Sequence, residues 1–232
     1  AMAVDFAKLL EDVALAQPDL RIRFSTSNPQ DMTLDVIRIM AKYDNICNNV
    51  HLPVQSGSNR ILKAMNRLHT REEYFDLIDA IRKIIPDVGI SQDMISGFPT
   101  ETEADHQDTL SLLEHVKYDF GFMYAYSERP GTMAERKLED DVPPEVKKRR
   151  LAEIIALQRE HCQYRTEQHL GKIQKVLIEG TSKKSDEHWM GRNSQNTVAV
   201  FPKENYKIGD FVMVRMDSCT SATLIGEAVA RA

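Results

Sequence analysis

His51-Leu52-Pro53-Val54-Gln55-Ser56-Gly57-Ser58 is the stretch whose reading decides the fold. Alternation places Asn49, His51 and Gln55 on one side of a strand and Val50, Leu52 and Val54 on the other. A strand between helices in an α/β protein is normally apolar on both faces, and the inside of a closed eight-stranded α/β barrel is filled with Val, Ile and Leu. Here one face is polar. Two other strand patterns depart in the same way. In Arg21-Ile22-Arg23-Phe24-Ser25-Thr26-Ser27 the residues Arg23, Ser25 and Ser27 share a face, leaving Ile22 and Phe24 for a helix layer. In Gly89-Ile90-Ser91-Gln92-Asp93-Met94-Ile95, Ser91 and Asp93 stand against Ile90, Gln92 and Met94. A single inward His or Asp usually reads as a core residue satisfied by a hydrogen bond. Three strands agreeing point instead to an interior that holds a ligand.

With 232 residues, 42% of them hydrophobic, the chain can form one large domain or two smaller ones. No apolar run approaches a membrane span and no signal-peptide pattern opens the chain, so the expectation is a cytoplasmic protein without a membrane partner. Cys47, Cys162 and Cys219 are far apart and odd in number, which argues against a disulfide framework and against a cysteine metal site built from this chain alone. The net charge of −5 is uneven: residues 171–232 hold nine Lys/Arg and seven Asp/Glu, a net +2, leaving −7 on residues 1–170. So mild a basic tail is weak evidence for nucleic acid by itself.

Helical spacing covers residues 4–15, and 33–43 with Thr33 as N-cap. Ser58 is placed to cap a short helix through Met65, and Thr70-Arg71-Glu72-Glu73 is a capping-box pattern opening a helix that Pro86 ends. Strands are expected at 21–26, 47–54, 89–95 and 120–126, with a further helix from Thr102 to Val116. Strand alternating with helix at this spacing gives parallel strands joined by right-handed crossovers. Four strands cannot close an eight-stranded barrel, and the chain starts inside a helix, as though earlier units were missing. A long charged helix is expected over 144–169. After Gly171 come five short strand patterns, at 173–179, 189–192, 197–201, 211–216 and 222–229, which predict a small antiparallel barrel of the oligonucleotide-binding kind. The fold class is thus α/β: a partial parallel (β/α) barrel over 1–165, then a small antiparallel β-barrel over 166–232.

Three loops lie at strand C-terminal ends, where α/β folds bind ligands. Gln55-Ser56-Gly57-Ser58 leads into a helix N-terminus that favours an anion, although a plain turn with Ser58 as cap reads equally well. Gly97-Phe98-Pro99-Thr100-Glu101 carries a Gly that lets backbone approach a flat ring. Tyr126-Ser127-Glu128-Arg129-Pro130-Gly131-Thr132 ends the last strand of the series. In the tail, Lys183, Lys184, His188, Trp189, Arg192, Asn193 and Asn196 combine cations, an aromatic and amides, a surface that can hold phosphates, stack a base and read base edges. The alternative there is a solvated edge with Trp189 filling the small barrel.

These stretches, with Met65-Asn66-Arg67 and Asp93-Met94-Ile95-Ser96-Gly97-Phe98-Pro99-Thr100-Glu101-Thr102, resemble the radical S-adenosylmethionine methylthiotransferases. Gly191-Arg192-Asn193 and Val198-Ala199-Val200-Phe201-Pro202 resemble that family's TRAM domain. The likeness covers nearly the whole chain and is nearest the tRNA branch, which adds a methylthio group to isopentenylated adenosine beside the anticodon. The ribosomal-protein branch differs in the Pro53–Ser58 loop. The resemblance implies S-adenosylmethionine and two 4Fe-4S clusters in the full-length enzyme, an electron donor for cluster reduction, and tRNA as partner. One cluster cleaves S-adenosylmethionine to a deoxyadenosyl radical that takes hydrogen from the adenine carbon, and sulfur is then inserted and methylated. It also implies cofactor binding by Ser25, Gln55, Ser56, Gly57, Ser58, Gly97, Phe98, Glu101 and Tyr126, and substrate binding by Arg23, His51, Asp93, Lys184, Trp189, Arg192 and Asn193. The family's cluster cysteines, three in an N-terminal domain and a CxxxCxxC loop on the first barrel strand, are missing from this sequence. The chain therefore resembles the C-terminal half of such an enzyme, and as it stands is expected to be inactive. Two other readings predict different binding: a tRNA-binding module without catalysis, or a metabolic α/β enzyme whose polar strand face takes a phosphorylated metabolite.

Overall fold

The computed structural model describes residues 5–25 and 28–232. Helix α1 (Phe6–Ala16) is capped by Asp5, whose carboxylate accepts the Lys8 N–H at 2.8 Å. Helix α2 (Leu34–Lys42) starts where Thr33 caps Val36, as its sequence predicts. Then follow β1 (Asn49–His51), α3 (Asn59–Ala64), α4 (Arg71–Ile84), β2 (Gly89–Ser96), α5 (Glu103–Val116), β3 (Phe120–Ala125), the short α6 (Met133–Lys137) and the long α7 (Pro144–Glu167). Reciprocal capping boxes open α4 (Thr70 with Glu73) and α5 (Thr102 with Asp105).

Among the described residues the parallel sheet has three strands in the order β1-β2-β3, joined by helical crossovers. The expected strand at 21–26 is reduced to a single parallel bridge, Ile22 to Ile46. Its neighbours are drawn elsewhere: Arg21 donates to the carbonyls of Arg192 and Lys175, the second at 2.9 Å, and Arg23 to that of Asn193 at 3.5 Å. Thr26 and Ser27, the end of that pattern, and Val4, the start of the first helix pattern, lie outside the described residues.

Alternation sorts the faces as the sequence predicts. Val50, Leu52, Ile90 and Met94 are buried with Ile37, Tyr74, Ile78, Leu112 and Tyr118 in the core between sheet and helices. Full burial of each such aliphatic side chain contributes roughly 1.5–3 kcal/mol. The opposite face carries Asn49, His51, Ser91 and Asp93, all partly exposed.

Strands β4 (Ile173–Ser182), β5 (Ser185–Arg192), β6 (Val198–Pro202), β7 (Phe211–Cys219) and β8 (Thr223–Arg231) close a barrel in the order β4-β5-β6-β8-β7. Every pairing is antiparallel except β6 with β8, which run parallel. Val176, Phe201, Val212, Met216 and Leu224 fill it.

Candidate functional site: two cavities on the inner face of the sheet

The polar face of the sheet opens onto two cavities. At the C-terminal ends of the strands, a cavity of about 630 Å³ is lined by Gln55, Arg67, Asp93, Phe98, Tyr126 and Arg129, among others. At the other end, a cavity of about 800 Å³ lies between the sheet and the small barrel, with Arg23, Ser25, Asn49, His51, Ser91 and Arg192 in its wall. Nε2 of His51 is 3.5 Å from Oδ1 of Asp93, and His51 Nδ1 is 3.0 Å from the Ser91 hydroxyl. A line of side chains, Ser91, His51 and Asp93, thus joins the two spaces. Arg23, His51 and Asp93 all face inward.

In the first loop, Gln55 takes a positive φ of 71°, its N–H donates to Asp93 O at 2.9 Å, and its side chain is buried at the cavity wall. Ser56, Gly57 and Ser58, expected to hold a cofactor, are turned the other way. The Ser58 hydroxyl donates to Asp105 at 2.6 Å, which is why it does not cap α3. Ser56 Oγ sits 3.5 Å from Thr109 Oγ1, and the Gly57 N–H donates to that same hydroxyl at 3.0 Å. A Cβ on Gly57 would fall 2.5 Å from backbone atoms of Asp108 and Thr109. These three residues lock the loop onto α5, and Gln55 alone of the four reaches the cavity.

The second loop is built likewise. Gly97 has φ +73° and lies against the Lys147 side chain, and its N–H donates to Glu101 Oε1 at 2.9 Å. Glu101 is buried against Arg150 at 3.0 Å and is absent from the cavity wall. Burial pushes its carboxyl pKa up, while the Gly97 N–H and Arg150 oppose the shift. Phe98 is displayed in the cavity, its ring edge-on to Tyr126 with centroids 5.1 Å apart. Burial and the nearby carboxylates of Glu128, Asp140 and Glu135 push the Tyr126 phenol pKa up. Arg67, which periodicity alone did not single out, faces Asp93 here; burial lowers its pKa and Asp93 opposes.

On the small barrel, Asn193 is buried, its amide spent on Gln174 (2.7 Å) and on the N–H of Thr197 (2.7 Å). It shapes the β5–β6 turn and has no surface to offer RNA. Trp189 is partly buried against the barrel core, with the Lys203 ammonium 4.5 Å above its ring. Lys184 is exposed in the β4–β5 turn. Arg192 pairs with Glu179 at 3.1 Å and donates to Asn196 O at 3.1 Å, at the cavity rim. The turn is pinned to the sheet: Ser194 Oγ accepts the Asn48 N–H at 2.8 Å, and Gln195 reaches Asp87 at 2.6 Å.

A radical SAM superfamily model matches residues 2–113 and a TRAM domain model residues 167–229. The chain carries a radical SAM match and a TRAM match. It is 69% identical over 229 residues to the tRNA-2-methylthio-N(6)-dimethylallyladenosine synthase of Christiangramia forsetii, covering 99% of this chain and 48% of that one. The proteins of the same name from Flavobacterium johnsoniae and Flavobacterium psychrophilum are 66% and 65% identical with the same coverage. The resemblance to the methylthiotransferases read from the motifs is borne out, and the chain spans about half the length of the curated relatives it matches.

The cavity at the strand C-terminal ends fits S-adenosylmethionine in its donor set: two amides, a carboxylate, two guanidinium groups and three aromatic rings, in a volume usual for such ligands. The three thiols do not fit an iron–sulfur cluster. Cys47 is buried, Cys162 donates to Asp119 O at 3.2 Å on α7, and Cys219 lies near Gln163 on β7. Burial pushes the pKa of both Cys162 and Cys219 up, against thiolate formation. Glu103, His106 and Glu153 bring ligand atoms within 4.8 Å of one another, but Arg149 pairs with both carboxylates at 2.6 and 2.7 Å and opposes a cation there. Among the described residues no helix is long and apolar enough to cross a membrane.

Proposed function

We propose that this chain is the C-terminal part of a cytoplasmic tRNA-modifying enzyme that transfers a methylthio group to the adenine of N6-dimethylallyladenosine beside the anticodon. The observation that carries the proposal is the pair of cavities on one polar sheet face, linked by His51 and Asp93 and bordered by a TRAM barrel. The identity to synthases of that name supports it. Residues 1–165 form the partial radical-SAM barrel and residues 166–232 the TRAM part. S-adenosylmethionine, with 4Fe-4S clusters whose ligands lie outside this chain and an external electron donor, supplies the radical and methyl chemistry.

This chain's residues bind and orient. Gln55, Asp93 and Arg67 would offer hydrogen bonds to the polar end of S-adenosylmethionine, and Phe98 would lie against its adenine with the Tyr126 ring edge-on to Phe98. Glu101, Gly97, Ser56, Gly57 and Ser58 act one layer back by fixing the two loops. Arg23, His51 and Arg192 face the substrate nucleotide, and Lys184 with Trp189 contacts tRNA further out. The test is anaerobic reaction of the full-length, cluster-loaded protein with dimethylallylated tRNA, reductant and S-adenosylmethionine, followed by mass analysis of the nucleosides. Methylthiolated dimethylallyladenosine is the expected product. Deoxyadenosine release with no change in the tRNA contradicts the proposal.

A further inference from the structure

Strand β3 lies at the sheet edge and turns Phe120, Phe122 and Tyr124 to the open side, 50%, 45% and 56% exposed. Phe120 and Phe122 line the larger cavity. Large aromatic side chains grouped in an open cavity mark a surface awaiting an apolar partner. Their geometry selects which kind. The rings of Phe120 and Phe122 stand at 84° with centroids 5.0 Å apart, and Phe122 meets the His51 ring at 80° and 6.1 Å. Rings edge-on to one another cannot both lie flat on a planar base. They form an apolar corner of the shape that a branched alkyl group fills.

The rest of the wall is polar. Asn49 uses its amide donors on the carbonyls of Gly89 and Gln195, each at 3.3 Å, which leaves its carbonyl oxygen as an acceptor on a residue that lines the cavity. The Arg23 and Arg192 guanidinium groups in the same wall suit a phosphate. An alkyl corner beside an acceptor and two cations matches a nucleotide whose exocyclic nitrogen carries one hydrogen and one branched hydrocarbon.

We infer that Phe120 and Phe122 are specificity-determining residues that bind the dimethylallyl substituent of the substrate adenosine. This rests on the function proposed above and assigns part of its selectivity to these two rings. Burying a five-carbon group in such a corner favours the alkylated substrate by at least about tenfold.

The test uses the full-length protein and an anticodon stem-loop RNA made with and without the dimethylallyl group, and reads the ratio of the two dissociation constants. The wild type is expected to prefer the alkylated RNA about tenfold or more. Phe120→Ala with Phe122→Ala is expected to bring the ratio near one, and Phe122→Leu to keep most of it. If the double variant does not fold, Phe122→Ser at this half-exposed position gives the same readout. A preference that survives in the alanine or serine variants overturns the inference and leaves the aromatic face to packing against the rest of the parent chain. A wild type that binds both RNAs equally overturns it too. A wild type that binds neither RNA overturns the proposed function itself, a result distinct from loss of preference.

Discussion

His51 on β1 and Asp93 on β2 face each other across 3.5 Å on the open side of the sheet, one lining the cavity next to the small barrel and the other the cavity at the strand C-terminal ends. In the function proposed above, the pair would set the distance between cofactor and substrate. Misplacement of reacting groups by about 1 Å costs on the order of a hundredfold in rate. Asp93→Ala in the full-length enzyme is therefore expected to cut turnover by roughly that factor. Because both side chains are partly exposed, the unfolding free energy should move by no more than about 0.5 kcal/mol. A turnover assay beside a denaturant melt separates the two effects.

Asp105 ties together both loop supports, accepting from Ser58 at 2.6 Å, from Thr102 at 2.6 Å and from Arg60. Burial works to raise its pKa, yet these hydrogen bonds together hold it well below the usual carboxylate range. With the folded pKa depressed, its stabilisation is complete above the unfolded value of about 3.9 and is lost as pH falls below it. Asp105→Asn is expected to cost roughly 2–3 kcal/mol at neutral pH and to flatten the fall in stability between about pH 5 and 2. Urea melts of wild type and variant across that range check both the size and the sign.

Gly57 and Gly97 differ in what a methyl group would meet. At Gly57 it strikes the α5 backbone, which cannot yield without moving the helix, so Gly57→Ala is expected to lose about 3 kcal/mol or more. At Gly97 the obstacle is the flexible Lys147 side chain, and the φ of +73° adds the strain, so Gly97→Ala should lose only about 1–2 kcal/mol. Equal losses in calorimetry would contradict this account of the loops.

Arg21 joins the sheet to the small barrel through the carbonyls of Arg192 and Lys175 and lies 5.0 Å over the Phe211 ring. Arg21→Ala is expected to weaken the junction by about 1–3 kcal/mol and to split one calorimetric transition into two. A single unshifted transition would mean that Gln195 with Asp87 and Ser194 with Asn48 hold the junction without it.

Where local chemistry decides an element, the sequence was legible. Thr70-x-x-Glu73 is a capping box whatever surrounds it, and period-two alternation put His51, Ser91 and Asp93 on the open face. Ser58 shows the limit. Its spacing reads as a cap, but its hydroxyl is captured by Asp105, 47 residues away, a partner that no local pattern reveals. The strand expected at 21–26 failed for a similar reason, since Arg21 and Arg23 bond to a barrel more than a hundred residues distant. Asn193 looked like an RNA contact because amides read base edges, yet the turn it closes consumes its side chain. Arg67 and the Phe120–Phe122 corner join the site only once the crossovers bring their elements over one face.

The most direct measurement is a crystal structure of the full-length, cluster-loaded protein with S-adenosylmethionine bound. The account predicts ligand density against Gln55, Asp93 and Phe98 at the strand C-terminal ends, with Ser56 and Ser58 still turned to α5. Density lodged instead under the helices, or contacts made by the Ser56 and Ser58 hydroxyls with Gln55 turned away, would contradict it.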